Sequence, residues 1–422
     1  MKPIRRAAII AVGSEMLTPS KVDTNSLFIT EQLNLIGIQL AFKTVVGDDR
    51  ADLDAAMRET LARVDLVVCC GGLGPTDDDL TRNVVADVLD RPLVEDESIT
   101  TKIRERFERR GLQMPEINRR QAMVPAGGRV LANTSGTAPG LWIEHGDQVV
   151  LLLPGPPREL KPMMTSVADT ILRERAGGMS LVRRVIKITG RSESHTEEAV
   201  QPLYAQWAQA TVPISATILA SLGQIELHLT ACCVSREQAD AALDAAVQQV
   251  KHVMGLHVYS TDGRALEEVL GAMLVERKMW IALAESCTGG LIASRLTDVP
   301  GSSRYVERGV VTYSNAAKVE LIGVPEEMIH AHGAVSEQVA TAMAEGIRAR
   351  ARTSLGVGVT GIAGPDGGTP DKPVGTVCIA AASDGATRVR TFRFVGGREM
   401  VKFQASQAAM DMVRRMLLEE AP

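Results

Sequence analysis

The stretch Ala284–Lys318 reads AESCTGGLIASRLTDVPGSSRYVERGVVTYSNAAK. The apolar run at 280–284 is typical of a buried parallel strand. Polar residues 285–288 then crowd a turn, and Gly289-Gly290 leads into a helix with apolar periodicity. Ligands of open α/β sheets bind at the carboxyl ends of the strands, so this pattern predicts a ligand site at such an edge.

The same stretch carries groups that suit nucleophilic catalysis. Ser302 and Ser303 follow Pro300, and Lys318 closes the stretch. A serine hydroxyl and a lysine amine can form a Ser–Lys pair, in which the amine removes the proton of the attacking hydroxyl. Polar loops with scattered serines are also common without catalysis, so the stretch alone leaves both interpretations open.

Length and composition narrow the class of protein. A chain of 422 residues is long enough for two or three domains. It is 45% hydrophobic but only 3% aromatic, which predicts an aliphatic core. The net charge of −5 and the pI near 5.9 give no electrostatic reason to expect nucleic-acid binding.

The sequence also bears on localisation and metal content. The start, MKPIRRAAIIAVG, has too short an apolar run for a secretory signal and predicts a first strand. No apolar run approaches the length of a membrane span. The six cysteines contain no CxxC spacing, so we expect reduced, buried thiols and no zinc. These features predict a soluble cytoplasmic protein with no membrane partner.

Three segments differ in pattern. Residues 1–172 alternate strands and helices, which predicts parallel βαβ units. Residues 178–259 read as a small α+β module, and 261–422 return to the βα pattern. The module's loop Gly190–Glu193 has no second glycine, whereas a KH-type nucleic-acid clamp needs a GxxG turn with basic flanks. We therefore expect the module to act as a spacer.

A glycine-rich loop in the first segment predicts an anion site. Residues 71–76 follow the third predicted strand, and the acidic run 77–79 is predicted to start the next helix. Glycines let the backbone approach an anion at a helix N-terminus. The aspartates favour a phosphate bridged by a divalent metal. The alternative is that they only cap the helix and complement its dipole.

Motifs spread over nearly the full length carry a family resemblance. In the first domain they are GSEML at 13–17, DTNS at 23–26, VVGDD at 45–49, GGLGPTDDDLT at 71–81, NRRQA at 118–122, GTAPG at 136–140 and PGPPRE at 154–159. In the last domain they are AESCTGG at 284–290, PGSS at 300–303, GVVTYSNAAK at 309–318, HGAVSE at 332–337, TGIAGPDGG at 360–368 and KPVGTV at 372–377. With these motifs in this order, the chain resembles the competence/damage-inducible CinA family.

This resemblance implies an α/β fold class in three parts. They are a molybdopterin-binding-protein-like domain, in which family members hydrolyse ADP-ribose with a metal ion, a KH-like module, and an α/β domain similar to nicotinamide-nucleotide amidases. Those amidases convert NMN to nicotinate mononucleotide and ammonia. The chain departs from the family pattern at 16–23, where the usual glycine-containing loop is replaced, and at Lys402, which with Arg398 stands where the amidases commonly carry two arginines.

For the amidase reaction, the resemblance supports Ser303 as nucleophile and Lys318 as base. Burial would lower the lysine pKa as this role requires. Ser286 and Thr360 are expected to orient the pair or the carboxamide, and Tyr313 to hydrogen-bond the lysine or the ribose. The expected substrate-binding residues are Thr288, Gly289, Gly290, Gly361 and Arg398. Arg398 has the alternative of being a solvated arginine, and no metal is expected in this domain.

For the first domain, we expect pyrophosphate hydrolysis with a divalent metal ion that lowers the pKa of the attacking water. The expected substrate-binding residues are Asn25, Gly71, Gly72, Gly74 and Thr76. The expected metal ligands are Glu15, Asp48, Asp78 and Asp79.

Other interpretations remain open at this point. Cys287 is a rival nucleophile if His330 or His332 is brought to it. The chain is alternatively a molybdopterin- or nucleotide-binding protein without turnover, or a DNA-associated competence factor. The acidic pI and the missing GxxG turn speak against the last of these. We expect NMN and ADP-ribose as small-molecule partners, no nucleic acid, and a homodimer.

Overall fold

The structure is a computed structural model that describes residues 2–221 and 223–419. Residues 1, 222 and 420–422 fall within the predicted domain ranges but lie outside the described part of the chain. The contacts divide the chain into two compact units. Unit 1 is Met1–Val182 with Ala231–Ala241, and unit 2 is Arg183–Thr230 with Ala242–Pro422.

Residues 2–175 fold around a six-stranded sheet in the order β2-β1-β3-β8-β7-β6. The strands of this sheet are β1 Arg6–Val12, β2 Gln39–Val46, β3 Leu66–Cys70, β6 Arg129–Leu131, β7 Gly140–His145 and β8 Gln148–Leu153. Two further strands, β4 Leu93–Glu95 and β5 Met123–Pro125, form a separate pair. The helices are α1 Thr24–Leu35, α2 Arg50–Leu61, α3 Thr81–Val88, α4 Glu97–Glu108, α5 Pro157–Val167 and α6 Arg173–Arg175. The strand pairs β2–β1, β1–β3 and β3–β8 are parallel, as predicted. Strands β7 and β6 extend the sheet with antiparallel pairing.

Strand β1 lies between two hydrophobic cores. Its residues Ala8 and Ile10 pack into a cluster with α2, α3 and α4, whereas Ala7 and Ile9 pack into a second cluster with α1 and α5. Successive side chains of a strand point to opposite faces, so a strand buried on both faces reads as a continuous apolar run. Because both faces of the sheet are buried here, the site is formed by the loops at the strand ends.

The middle module has the element order βαββαβ. Its elements are β9 Ser180–Thr189, α7 Glu193–Ala208, β10 Ile214–Ser221, β11 Gln224–Cys233, α8 Arg236–Met254 and β12 Val258–Ser260. The sheet order is β10-β11-β9-β12. Burial alternates along β11, as expected for a sheet with one face on a core and one face open.

The C-terminal part has a five-stranded sheet in the order β14-β13-β15-β16-β17. The strands are β13 Ile281–Glu285, β14 Val306–Val311, β15 Leu355–Gly361, β16 Thr376–Ala382 and β17 Thr387–Arg393. The helices are α9 Leu266–Glu276, α10 Leu291–Thr297, α11 Asn315–Ile322, α12 Glu326–His332, α13 Glu337–Ala351 and α14 Arg398–Glu419. β13 pairs in parallel with β14 and β15, whereas β16 and β17 are antiparallel because no crossover helix separates them.

Two glycines let helix α13 pack directly on strand β15. A Cβ atom at Gly356 would lie 2.2 Å from the carbonyl oxygen of Ala344, and one at Gly358 would lie 2.4 Å from that of Ala340. Only glycine permits this approach. In the described part of the chain, no helix combines the length and the apolarity needed to cross a membrane.

Candidate functional sites

Lys318 is the central side chain of the C-terminal site. It is only 1% exposed. Its Nζ donates hydrogen bonds to the carbonyl oxygens of Thr312 (2.9 Å) and Tyr313 (3.3 Å) and to Ser286 Oγ (3.3 Å). All three partners are uncharged, so these hydrogen bonds bring no negative charge to the amine.

Burial lowers the pKa of Lys318, because the ammonium form loses more hydration than the neutral amine. A neutral amine has two hydrogens and one lone pair, so one of the three partners must then donate. The carbonyl groups of Thr312 and Tyr313 can only accept. The lone pair of neutral Lys318 therefore faces the hydroxyl of Ser286.

The sheet holds these groups at one edge. Ser286 follows β13, and its N–H donates to the carbonyl of Val359 in β15 (2.9 Å). Thr312 follows β14, and its N–H donates to the carbonyl of Glu285 (2.8 Å). The site thus lies at the carboxyl ends of three adjacent parallel strands, as the sequence predicts.

Two capped helix starts fix the flanking loops. The Ser314 side chain accepts from the N–H of Ala317 and begins α11, which carries Lys318. The Glu285 carboxylate, 1% exposed, accepts from the N–H groups of Ile292 (3.1 Å) and Ala293 (2.9 Å) in α10. A carboxylate at a helix N-terminus is stabilised by the helix dipole, so Glu285 anchors the turn that carries Ser286.

The structure disfavours Cys287 as nucleophile. Its side chain is buried, and burial raises the pKa of the thiol to about 12. The thiolate is the reactive form of cysteine, and a thiol with this pKa is almost fully protonated at neutral pH. His330 has an exposed side chain in α12 that faces Glu326 at 3.7 Å.

Ser303 lies on an exposed 3₁₀ turn, Ser302–Arg304, whose start follows Gly301 with φ 85°. Within the described residues, no hydrogen bond joins Ser303 to Lys318; the serine in contact with the amine is Ser286. The structure therefore brings together one of the two predicted serines with the lysine, and leaves the other on the surface.

Two cations at the start of α14 approach this site. Arg398 donates to the hydroxyl of Tyr313 (3.1 Å) and to the carbonyl of Gly364 (2.9 Å). A Cβ atom at Gly289 would lie 3.6 Å from Nζ of Lys402. Tyr313 is 61% exposed, so its ring is accessible to a ligand, and the Lys318 contact is through its backbone carbonyl.

The other predicted groups have defined positions. The hydroxyl of Thr360 donates to the carbonyl of Ala334 (2.8 Å), and Gly361 ends β15. The N–H of Gly289 donates to the Ser286 carbonyl (3.0 Å), so it is already used within the turn, and Gly290 precedes α10 with φ 90°. The hydroxyls of Thr288 and Thr312 are buried and have no hydrogen-bond partner in the described part of the chain.

The N-terminal site is a cavity of about 660 Å³ formed by loops that follow the strands of the first sheet. Every residue predicted for this domain lines it: Glu15, Asn25, Asp48, Gly71, Gly72, Gly74, Thr76, Asp78 and Asp79. Its size is typical of a pocket for a small ligand.

The glycine loop is held rigidly at its start. Gly71 and Gly72 have φ of 106° and 64°, and a Cβ atom at Gly71 would lie 2.1 Å from the carbonyl oxygen of Val12. The Thr81 hydroxyl donates to the Gly71 carbonyl (2.9 Å). Arg82, 2% exposed, donates to the Leu73 carbonyl (2.6 Å), and burial lowers the pKa of this guanidinium to about 10.

Asp79 belongs to the loop and not to the helix. Its carboxylate accepts from the N–H of Gly74 (2.7 Å) and from the N–H (2.9 Å) and hydroxyl (2.5 Å) of Thr76. Helix α3 begins at Thr81, so the prediction that residues 77–79 start it is wrong. The carboxylate points back to the loop and caps it, because three hydrogen-bond donors are available there. The N–H groups of Gly74 and Thr76 thus face Asp79.

The remaining predicted ligands differ in how far they are engaged. Asp78 is exposed. Asp48 Oδ2 accepts from the N–H of Ser14 (2.8 Å), and Glu15 pairs with Lys21 at 3.3 Å. The described residues contain no group of three or more His, Cys, Asp or Glu side chains that converges as a metal site.

Buried acceptors lie at the start of α1, beside the same cavity. Asn25 donates through Nδ2 to the carbonyl of Gly155 (2.7 Å), while its Oδ1 has no partner among the described residues. The same is true there of Asp23 Oδ2 and Ser26 Oγ. Buried polar groups are normally satisfied, so this cluster has capacity for a ligand or cation.

Three family models match the chain in succession. They are "Probable molybdopterin binding domain" over residues 8–174, "Damage-inducible protein CinA KH domain" over 183–260 and "CinA C-terminal domain" over 263–417. A CinA-like protein of Koribacter versatilis is 46% identical over 417 residues, which cover 98% of this chain and 100% of that protein. The chain belongs to the CinA family.

Other members of the CinA family are similar over comparable lengths. A CinA-like protein of Acidobacterium capsulatum is 44% identical over 416 residues, 98% of this chain and 100% of that protein. Two solved structures match parts of the chain. The competence/damage inducible protein CihA from Agrobacterium tumefaciens is 38% identical over 36% of this chain and 96% of its own, with a TM-score of 0.35. The protein CinA with unknown function from Thermoplasma acidophilum is 34% identical over 40% and 98%, with a TM-score of 0.38.

The three family models and the full-length relatives confirm the predicted family and the predicted fold class, including the molybdopterin-binding-like and KH-like parts. Sequence reasoning missed several side chains that shape the two sites in this CinA family member. Thr81 and Arg82 brace the glycine loop, Asp23 adds a buried acceptor, and Thr312 adds a carbonyl and an unpaired hydroxyl. These residues lie just after strands or at the start of a helix, and this position was the sequence signal that could have identified them.

Proposed function

We propose that the C-terminal domain hydrolyses the carboxamide of a nicotinamide nucleotide, NMN, with Lys318 as the general base. The observation that carries the proposal is the buried amine, with uncharged partners, a lowered pKa and a direct contact to Ser286. A base must be unprotonated at working pH, and an ordinary lysine is not. Burial of this lysine supports the role because it favours the neutral amine.

In the proposed reaction Ser303 is the nucleophile and Ser286 relays its proton. Neutral Lys318 takes the proton of Ser286, Ser286 takes that of Ser303, and Ser303 Oγ bonds to the carboxamide carbon. The C–N bond then breaks, the proton passes back to the departing nitrogen as ammonia, and water hydrolyses the acyl ester. Lys318 then serves as base for that water.

Exposure supports this division of roles. Ser286 is 8% exposed and lies against Lys318, whereas Ser303 is on the surface where a substrate can reach it. The scheme requires the turn at 302–304 to approach Ser286 when substrate binds. Catalytic hydrogen bonds often shorten only in the substrate complex.

The two cations of α14 are the proposed phosphate-binding groups. Arg398 and Lys402 approach the rim formed by Tyr313 and Gly289. An arginine fork pairs with two phosphate oxygens, whereas a lysine acts as a point charge. We propose that Arg398 sets the orientation of the phosphate and that Lys402 adds attraction.

For the N-terminal cavity we propose hydrolysis of the pyrophosphate of ADP-ribose with a divalent cation. The residues fit a cation that is shared with the substrate, because Mg²⁺ commonly binds one or two carboxylates together with substrate phosphates. Asp78 and Asp48 would hold it, beside the unpaired oxygens of Asn25 and Asp23. When bound, such an ion neutralises the pyrophosphate and lowers the pKa of a water.

The chain's own residues have separate tasks in this proposal. Asp79 holds the glycine loop in one shape through three hydrogen bonds, so its proposed part is positioning of the loop. Asn25 is tied to Gly155 and presents Oδ1 as an acceptor to the ligand. Glu15 remains a candidate for the rim, where it pairs with Lys21.

Product analysis tests the main proposal. Incubation of the full chain with NMN should yield ammonia and nicotinate mononucleotide in equal amounts. Nicotinamide riboside, which lacks the phosphate, should react with a much higher KM if Arg398 and Lys402 bind that group. Absence of turnover with purified, folded protein would leave a nucleotide-binding protein without catalysis as the better account.

A further inference from the structure

Unit 2 contains a second cavity of about 660 Å³, which lies between the middle module and the C-terminal domain. One wall is the loop from Thr189 to Ser192 at the start of α7. Residues of β17 and of the part of α14 from Gln404 to Arg415 also line the cavity. The residues proposed for amide hydrolysis do not line it, since Arg398 and Lys402 lie earlier in α14.

Arginine side chains give this cavity a positive charge. Arg191, Arg388, Arg390 and Arg415 line it, whereas Asp411 is the acidic residue among its lining residues. Asp411 accepts from Arg415 (2.7 Å) and Glu419 pairs with Arg388 (2.5 Å), so part of that charge is neutralised locally. A planar guanidinium pairs well with the oxygens of a phosphate.

An aromatic surface adjoins the arginines. The rings of Phe392 and Phe394 stack with centroids 5.3 Å apart and an interplanar angle of 8°. The guanidinium of Arg390 lies over Phe392, 4.9 Å from the ring centroid. Both phenylalanines are only partly buried and line the cavity. Stacked rings beside guanidinium groups suit a planar, electron-rich base.

Fixed polar groups complete the cavity. His257 Nε2 accepts from Arg191 (3.1 Å), and its Nδ1 lies 3.0 Å from the carbonyl of Thr189, to which a neutral ring can donate, and 3.2 Å from the guanidinium of Arg415. This pattern requires a neutral ring, and burial lowers the pKa of His257 accordingly. The neutral ring holds Arg191 in place without adding to the repulsion among the arginines.

Gln407 places a buried amide donor at the cavity. It is 1% exposed, and its Oε1 accepts from Arg295 (2.7 Å), while its Nε2 has no hydrogen-bond partner in the described part of the chain. The hydroxyl of Tyr259 donates to Gln224 (2.8 Å) and lies close enough to Gln407 to interact with its amide. A buried donor without a well-formed hydrogen bond is costly, so a ligand or water that supplies an acceptor is favoured here.

We propose that this cavity binds a free nucleotide, with the phosphate on the arginines and the base against the phenylalanine pair. The combination of an aromatic surface, guanidinium groups and a buried amide donor matches a phosphorylated nucleoside better than an apolar ligand. The cavity volume suits one small molecule. The proposal is independent of the amide-hydrolysis proposal, since it uses none of the same side chains.

Hydrogen exchange measured by mass spectrometry on the full chain locates the ligand. AMP should slow exchange in the peptides that cover 189–195 and 387–394, whereas adenosine and inorganic phosphate, each carrying half of the ligand, should slow it much less. An absence of protection in these peptides at saturating AMP overturns the proposal. Stronger protection of the same peptides by a single-stranded oligonucleotide that displaces AMP overturns the assignment to a free nucleotide.

Substitutions of two arginines that line the cavity can be compared with a control substitution in β17. Arg390→Ala and, separately, Arg191→Ala should raise the AMP concentration needed to protect these peptides by about tenfold or more. This is the loss of affinity expected for one charge-assisted hydrogen bond. Arg393→Ala should leave the AMP-dependent protection unchanged. Arg393 is exposed, does not line the cavity, and lies on the opposite face of β17 from Arg390 and Phe392. Unchanged AMP binding in both Arg390→Ala and Arg191→Ala, with thermal unfolding at the wild-type temperature as the sign of folding, contradicts the proposal.

Discussion

The Nζ atom of Lys318 lies 3.3 Å from the Oγ atom of Ser286. Both side chains are buried, at 1% and 8% exposure; Ser286 directly follows β13, whereas Lys318 lies in α11, the helix after the adjacent strand β14. Because the two other partners of the amine are carbonyl groups, Ser286 is the partner able to exchange a proton with it. This relationship makes the serine–lysine chemistry testable residue by residue.

The pH dependence of NMN hydrolysis should report the state of Lys318. Protonated Lys318 has no lone pair, so kcat/KM should rise with pH through the pKa of this amine and then level off. Because burial lowers that pKa, the rise should be centred below the usual lysine value of about 10.4. Thermal unfolding measured at each pH separates this effect from loss of structure. A rate that falls with pH over the same interval would contradict the role.

Two serine variants should separate the nucleophile from the relay. Ser303→Ala is expected to lower kcat for NMN by at least about a thousandfold, because it removes the attacking oxygen. Ser286→Ala should lower kcat by about a hundredfold with little change in KM, because it removes only the proton path. Ser302→Ala, in the same turn, is the control and should stay near wild type. An active Ser303→Ala with an inactive Ser286→Ala would make Ser286 the nucleophile.

Asp78→Asn should lower ADP-ribose hydrolysis by at least about tenfold, because the variant loses a ligand for the cation. Asp77→Asn is the matched control, since the neighbouring Asp77 is exposed and pairs with Arg120. Ammonia release from NMN should be unchanged in both variants. Hydrolysis by wild type at full rate in excess chelator would refute the cation's role.

Asp79→Asn should loosen the glycine loop. One oxygen of the carboxylate becomes an amide donor that faces the donors of Gly74 or Thr76, so hydrogen bonds are lost. Exchange of the Gly74 and Thr76 amide hydrogens should become faster by about tenfold or more, equivalent to about 1.4 kcal/mol. Asp78→Asn should leave these amides protected. Equal exchange in Asp79→Asn and wild type would show that this carboxylate does not hold the loop.

Sequence patterns predicted the strands and the location of polar groups at their ends. The run before Ser286 and the glycine loop after β3 both lie where alternation of strands and helices puts them. The direction of β16 and β17 was harder, although the absence of a helix between them was a usable signal. Their antiparallel pairing turns the last part of the sheet away from a uniform βα pattern.

The individual contacts of the sites were not predictable from spacing. Ser286 and Ser303 both precede Lys318 in the chain, and only the placement of β13 beside β14 decides which hydroxyl meets the amine. The same applies to Asp79, whose carboxylate turns back to the loop because unsatisfied N–H groups lie there. A helix cap and a loop cap look alike in sequence, because both need an acid near backbone donors.

The most direct test of the proposed chemistry is ammonia release from NMN by Lys318→Met, measured on the intact chain beside wild type. Methionine fills much of the same buried volume without an amine, and Lys278→Met is the matched control because Lys278 is exposed. We predict a fall in kcat of about a hundredfold or more for Lys318→Met, the range of general-base catalysis, and wild-type release for Lys278→Met. Ammonia release at the wild-type rate by folded Lys318→Met would contradict the central claim.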